Sequence, residues 1–100
     1  MLDILVGLNI SDEETYKKYR LEMIPLLHNI GGKFKYDFSI KETLINHSEN
    51  EINRVFIISF PNLKSKEEFF SNPDYVLIKE KYFNSSVLST TIMLEADNTG

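Results

Sequence analysis

The sequence predicts an α+β domain whose elements run β-α-β-β-α-β. Three observations carry this. Val55 to Phe60 is a nearly continuous apolar, β-branched and aromatic run, the mark of a central strand covered on both faces. Leu2 to Ile10 and Lys33 to Ile40 alternate between apolar and polar residues, the period of a strand with two unlike faces. The segments after the first and third of these strands carry helix caps and helical spacing.

In the first strand Leu2, Ile4, Val6, Leu8 and Ile10 share one face, and Asp3, Leu5, Gly7 and Asn9 share the other. Ser11-Asp12-Glu13-Glu14 reads as a capping box that starts a helix. Tyr16, Tyr19, Arg20, Met23, Leu27 and Ile30 then form one core-facing stripe. Pro25 removes a hydrogen bond inside this helix and is expected to bend it and weaken the last turn. Gly31-Gly32 stops it, with Gly31 suited to the left-handed C-terminal position.

In Lys33 to Ile40, Phe34, Tyr36, Phe38 and Ile40 are expected inward and Lys33, Lys35, Asp37 and Ser39 outward. Exposed lysines discourage edge-to-edge pairing, so this is read as an edge strand. Thr43 to Ile45 is expected to extend that edge, and Asn46 to Asn53 is a polar loop. Pro61 ends the central strand. Asn62 caps a short helix, with Ser65 and Glu68 as a second capping pair. Asn72-Pro73-Asp74 restarts it: an N-cap, a proline at the first helical position and an acid for the dipole. Val87 to Glu95 is the last strand, with Leu88, Thr90, Ile92 and Leu94 on one face and Val87, Ser89, Thr91 and Met93 on the other. The chain is thus read as a single domain over residues 1–96, with residues 97–100 as a tail.

This order is the ferredoxin-like split βαβ arrangement. Right-handed crossovers place both helices on one face of a four-stranded antiparallel sheet, with the first and third strands central. The other face is then bare, and it is apolar, because Val55 to Ile58 is apolar on both sides and Leu5 lies opposite Ile4 and Val6. A homodimer is the expected consequence.

Composition excludes several functions. The 100 residues fit one small domain, burying roughly 65% of the unfolded surface. The net charge of −4 arises from 11 basic and 15 acidic residues spread along the chain. No basic block alternates with aromatics, so nucleic acid is not an expected partner. The absence of cysteine removes disulfides, thiolate metal sites and cysteine nucleophiles. No apolar run approaches the ~20 residues of a membrane span, and the start lacks a basic leader. A cytoplasmic protein with no membrane partner is expected.

The residues with chemistry to offer are few. Tyrosine joins an apolar body to a polar tip, which suits a pocket that orients a small molecule. Tyr75, fixed at a helix start by Asn72-Pro73, leads this set, with Tyr16 and Tyr19 from the first helix; Phe38 of the second strand completes its apolar side. Tyr36 and Tyr82 belong to the same set, and the plainer reading of all five tyrosines is as core-edge residues whose hydroxyls reach water. Arg54, just before the central strand, is placed to clamp a carboxylate or phosphate, although such arginines more often pair with a neighbouring acid. His28 has the pKa range of a general base, but a histidine near a helix C-terminus is more commonly a surface residue. His47 lies in the polar loop. The two histidines have no metal-ligand spacing, and no metal or other cofactor is expected. Ser59 has neither a sequence-adjacent histidine nor nucleophile-elbow glycines.

Tyr16 and Tyr19 spaced Y-x-x-Y, Gly31-Gly32, the strand end Phe60-Pro61 and the S-N-P-D-Y run from Ser71 to Tyr75 resemble a family of small dimeric α+β barrel proteins. That family is the domain of unknown function numbered thirteen-thirty, and the likeness covers Leu2 to Glu95. The resemblance implies a ferredoxin-like subunit and a homodimer whose two sheets face each other, and no assigned reaction. Proteins of the same architecture include cofactor-independent monooxygenases and small-molecule isomerases, an analogy of fold alone. This chain departs from the pattern at Tyr82, where the family carries an arginine, at Ser85 and Ser86, and in lacking extra glycines near Tyr36 to Phe38. The expected function is therefore binding of a small, partly apolar molecule between sheet and helices. A cofactor-independent oxygenase or isomerase using Tyr75, Arg54, Tyr16 and His28 is the alternative, and a purely structural dimer is the third reading.

Overall fold

Two central strands, β1 (Leu2–Ile10) and β3 (Arg54–Phe60), pair antiparallel from Leu2 opposite Phe60 to Leu8 opposite Arg54. The edges are β2 (Lys33–Ser39) beside β3 and β4 (Val87–Asp97) beside β1, giving the order β2-β3-β1-β4. The structure, a computed structural model, describes residues 1–98. Helices α1 (Glu13–Asn29), α2 (Leu63–Ser71) and α3 (Pro73–Ile78) complete the predicted βαββαβ order. The alternation of β1 directs Ile4, Val6, Leu8 and Ile10 into the same core as Tyr16, Tyr19, Met23 and Leu27 of α1, Phe69 of α2 and Tyr75 of α3. The fold is ferredoxin-like. Among the described residues no helix is long and apolar enough to cross a membrane.

Local chemistry sets the helix ends. Asp12, not Ser11, caps α1: its carboxylate accepts from the Thr15 backbone N–H at 3.1 Å and the Thr15 hydroxyl at 2.7 Å. Ser11 is held elsewhere, because its N–H and hydroxyl both donate to the Ser86 carbonyl, at 2.8 and 3.2 Å. Pro25 does not end α1, which continues to Asn29. Leu21 and Pro25 both lie on the exposed side, so the carbonyl that a proline leaves unpaired is open to solvent rather than buried. Gly31 has φ 79° as expected, and the Gly32 N–H closes the helix end on the Leu27 carbonyl at 2.9 Å. Asn62 and Asn72 cap α2 and α3 as read, accepting from Ser65 N–H at 2.9 Å and Asp74 N–H at 2.8 Å. One feature has no counterpart in the sequence reading: α3 runs without a break into a π-helical turn, Lys79–Phe83, and a last short turn, Asn84–Ser86.

Both edge strands contain a bulge that overturns a predicted face. In β2, Phe34 pairs with Ile58 but Tyr36 pairs with Ile57, so Lys35 is an extra residue. Phe34 stays under the helices, Tyr36 and Phe38 turn to the opposite face, and Asp37 comes in beside Phe56. The expectation of an inward Tyr36 and Phe38 and an outward Asp37 fails for that reason. In β4, Ile92 pairs with Val6 and Leu94 with Leu5. Met93 is the extra residue there, and it sends Leu94 to the bare face, apart from Thr90 and Ile92. A second shift near Leu88 leaves Val87 opposite Ile10.

Strand β4 also runs further than read, with Asp97 opposite Leu2. Asn98, also in the predicted tail, is held as well, its N–H donating to the Met1 carbonyl at 2.7 Å and its amide to Asp3 at 3.0 Å; residues 99 and 100 lie outside the described residues. Residues 43–45 add no strand; Leu44 and Ile45 stand 85% and 83% exposed on the loop after β2. That loop returns across the bare face and seats Ile52 on Gly7, where a Cβ would come within 2.9 Å of the Ile52 side chain. Asn53 then anchors it, its side chain bonding both the N–H and the carbonyl of Ile10, at 2.8 and 2.9 Å.

Candidate functional site

A cavity of ≈ 320 Å³ lies between the helix-bearing face of the sheet and the helices. Its floor follows from β-strand alternation: Ile4, Val6 and Leu8 of β1 and Phe56 and Ile58 of β3. One wall is the α1 stripe, Tyr16, Tyr19 and Met23, spaced three and four residues apart on one helix face. The other wall is Tyr75, Lys79 and Phe83, each four residues from the next along α3 and its π turn. The mouth opens at edge strand β4, where Thr90, Ile92 and Glu95 line it and are solvent-exposed. Lys66 of α2 bridges to Glu95 at 2.8 Å on this rim. Lys79 has no carboxylate partner among the described residues, and its ammonium sits 5.8 Å from the Phe83 ring centroid.

The polar groups of the interior are hydroxyls. Tyr19 and Tyr75 are almost fully buried, and their hydroxyl oxygens lie 2.8 Å apart. Their rings meet edge to face at 6.2 Å, and Tyr75 also packs on Phe69 at 4.5 Å. Two hydroxyls own two protons, and their mutual bond uses one. The second has no protein acceptor among the described residues and is available to a ligand. Burial pushes the Tyr19 hydroxyl far above the usual tyrosine range, and the nearby Tyr75 adds to the effect. Burial raises Tyr75 as well, against the lowering effect of its bond to Tyr19. Both therefore act as neutral hydrogen-bonding groups at ordinary pH.

Behind Tyr16 lies a cluster of ions. The Arg20 guanidinium, buried beneath α1, donates from Nε to the Tyr16 hydroxyl at 2.7 Å and from Nη1 to Asp37 at 3.0 Å. It also stacks 3.9 Å from the Phe34 ring centroid. Arg54 grips the same carboxylate through two bonds, 2.8 and 2.9 Å, and reaches Glu13 at 3.6 Å. Burial alone would raise Asp37, but the bonds and charges of Arg54 and Arg20 outweigh it and hold the carboxyl below its ordinary value. Burial raises the Tyr16 hydroxyl, partly offset by the charge of Arg20. The surface depression here is lined by Glu13, Glu14 and Asp37 against Lys17, Arg20 and Arg54. Those charges cancel, so the cluster offers an anion no net attraction.

The residues proposed from sequence thus divide. Tyr16, Tyr19 and Tyr75 line one cavity. Arg54 lies beyond Tyr16, its guanidinium carbon 5.4 Å from that ring centroid, and is occupied by acids. His28 is exposed at the last turn of α1. Phe38 is 53% exposed on the opposite face of the sheet, stacked on Tyr36 at 6.0 Å. Sequence reasoning missed Lys79, Phe83, Met23 and Phe34 as lining residues. The four-residue spacing from Tyr75 to Lys79 to Phe83 was the available signal.

Solved structures share this fold at low identity. A protein of unknown function from Rhodopseudomonas palustris superposes with a TM-score of 0.81 at 17% identity, over 99% of this chain and 82% of that one. An uncharacterized NIPSNAP domain protein from Burkholderia xenovorans gives 0.69 at 11% identity, over 99% and 95%. A dabb family protein with a ferredoxin-like fold from Mesorhizobium loti gives 0.68 at 14%, over 99% and 97%. At these identities the likeness establishes the fold alone. No curated protein matches the chain in sequence. The family described as Domain of unknown function (DUF1330) matches residues 4–95, nearly the whole length, and the chain belongs to that family.

Proposed function

We propose that this protein binds a small, mostly apolar molecule bearing one hydrogen-bond acceptor, held between sheet and helices. The Tyr19–Tyr75 hydroxyl pair, among the mostly apolar side chains that line the interior of a ≈ 320 Å³ cavity, carries the reading. That volume is at the low end of the ~300–1,000 Å³ of ligand pockets, which suits a small molecule. The buried neutral hydroxyls orient an acceptor such as a carbonyl oxygen. Neither His28 nor Arg54 lines the cavity, which favours binding over the oxygenase or isomerase alternative.

Titration with acetophenone, followed by NMR at the Met23 methyl and the tyrosine rings, tests this. Saturable shifts at the lining residues are expected. The double variant Tyr19→Phe/Tyr75→Phe removes the donor without stranding a buried partner, so the fold is retained. It should weaken acetophenone about fivefold, the worth of one neutral hydrogen bond, and leave ethylbenzene unchanged. Absence of any shift at the lining residues would overturn the reading.

A homodimer formed through the bare sheet face is the second part of the proposal. Tyr36, Phe38 and Leu94 are 57%, 53% and 60% exposed there, beside Leu5, Val55 and Ile57. A four-stranded face presents at most roughly 500 Å², and the loop that seats Ile52 on Gly7 covers part of it. Two such faces therefore bury less than about 1,000 Å² together, short of a specific interface on their own. The exposed Leu44 and Ile45 of the neighbouring loop add apolar area to a second copy. Sedimentation at micromolar concentration should give twice 11.7 kDa; the mass of one chain would exclude the dimer.

A further inference from the structure

We propose that the molecule the cavity takes is a monocarboxylate with an apolar body, its charge lying at the mouth against Lys79. The inference rests on the cavity-binding reading and adds the charge and orientation of the ligand. Three observations lead to it. The floor and α1 wall are apolar apart from tyrosine hydroxyls, so a charge placed deep would lose its hydration without gaining a counter-ion. The mouth carries all the formal charge of the lining: Lys66, Glu95 and Lys79. Lys66 and Glu95 neutralise each other at 2.8 Å, which leaves one positive charge, although the chain as a whole carries −4.

The placement of Lys79 gives the third. It stands one helical turn beyond Tyr75 on the same wall, with its ammonium near the ring of Phe83, itself a lining residue. The π turn begins at Lys79, and π turns inside helices recur at functional sites. The wall therefore offers an ammonium at the mouth, an aromatic face beside it and the tyrosine hydroxyls one turn away. A carboxylate with a short apolar body follows that order: anion outward, apolar chain inward, and any oxygen at its far end within reach of the hydroxyl pair.

Octanoate and its neutral isostere octanamide distinguish the possibilities, measured by calorimetry at low salt and located by shifts of the Met23 methyl. Octanoate is expected to bind about two- to fivefold more tightly than octanamide, and to weaken as salt rises because the pairing charge is at the rim. Lys79→Gln should lower octanoate affinity by about the same two- to fivefold, the range for an exposed ion pair, and leave octanamide unchanged. Lys79→Arg should restore most of the octanoate affinity. Equal binding of both probes, or indifference of octanoate to Lys79→Gln, would overturn the assignment of charge while the apolar cavity stands. Failure of both probes to shift the Met23 methyl would overturn the cavity reading and this inference together.

Discussion

Replacing Asp37 by asparagine should test the ion cluster that backs the cavity wall. Asp37 is the single acceptor shared by Arg20 and Arg54, with nitrogen–oxygen distances of 3.0 Å to Arg20 and 2.8 Å to Arg54. Asparagine keeps the shape and one oxygen but loses the charge. The Arg20 side chain is 11% exposed, so its guanidinium would remain buried with Tyr16, the Phe34 and Phe56 rings and one neutral amide oxygen for compensation. Breaking a fully buried pair costs ~3–5 kcal/mol. Here Asp37 is 31% exposed and Glu13 remains near Arg54 at 3.6 Å, so about 1.5–2.5 kcal/mol is expected after allowing for solvent screening.

With a urea dependence of ~1–1.5 kcal/mol per molar for a chain of this size, the unfolding midpoint at pH 7 should fall by about 1–2.5 M. Protein concentration must be held fixed, because association raises apparent stability. The pH dependence provides the second half of the test. The folded carboxyl titrates below its ordinary 3.8. Its contribution is therefore complete above that value and is lost as pH falls through the lower, folded pKa. The gap between wild type and Asp37→Asn should close across that acid range. A midpoint unchanged at pH 7, or a gap independent of pH, would refute the reasoning.

Three further outcomes are expected. Gly31→Val should destabilise by about 1–3 kcal/mol in chemical denaturation, because φ is 79° and a Cβ would stand 2.9 Å from the Pro61 ring; an unchanged midpoint would refute the capping argument. Gly32→Ala should cost about 1–3 kcal/mol in the same assay, since the new methyl would overlap Leu27 and approach the Ser59 carbonyl at 3.1 Å. Phe38→Glu, at an exposed position, should change the stability of the isolated chain by less than about 0.5 kcal/mol, yet shift sedimentation toward one-chain mass by placing a charge in the apolar face. A Phe38→Glu protein that still sediments as a dimer would move the interface elsewhere.

The parts of the fold legible in the sequence are those where one local rule acts alone. Alternation defined β1, the apolar run defined β3, and Asn62, Asn72 and Gly31 announced their helix ends through side-chain or backbone chemistry. The edge strands were harder. An extra residue at Lys35 or Met93 leaves the apparent alternation intact while reversing which side each later residue takes. Reading straight through those positions put Phe38 with the ligand-binding residues and Asp37 outside. Asp37 instead occupies both Arg54 and Arg20, two partnerships each across 17 residues of sequence that no local pattern encodes. The tyrosines were found because their spacing and the Asn72-Pro73 cap are local. Lys79 was missed because a lysine on a helix looks solvated until the cavity beside it is seen.

The π turn lets the cavity wall absorb a change in chain length. A turn of this kind holds one residue more than an α-helix would use for the same closure. Deleting one residue between Lys79 and Phe83 would let ordinary α-helical bonding run from Pro73 to Ser86, with the two ends of the segment keeping their orientation to each other. Ser86, tied to Ser11 through its carbonyl at 2.8 Å, and the Tyr75 hydroxyl, 2.8 Å from that of Tyr19, would both hold their places. Two relatives with one residue's difference in this segment would thus share the tyrosine pair and differ at the mouth of the cavity, where Lys79 and Phe83 stand.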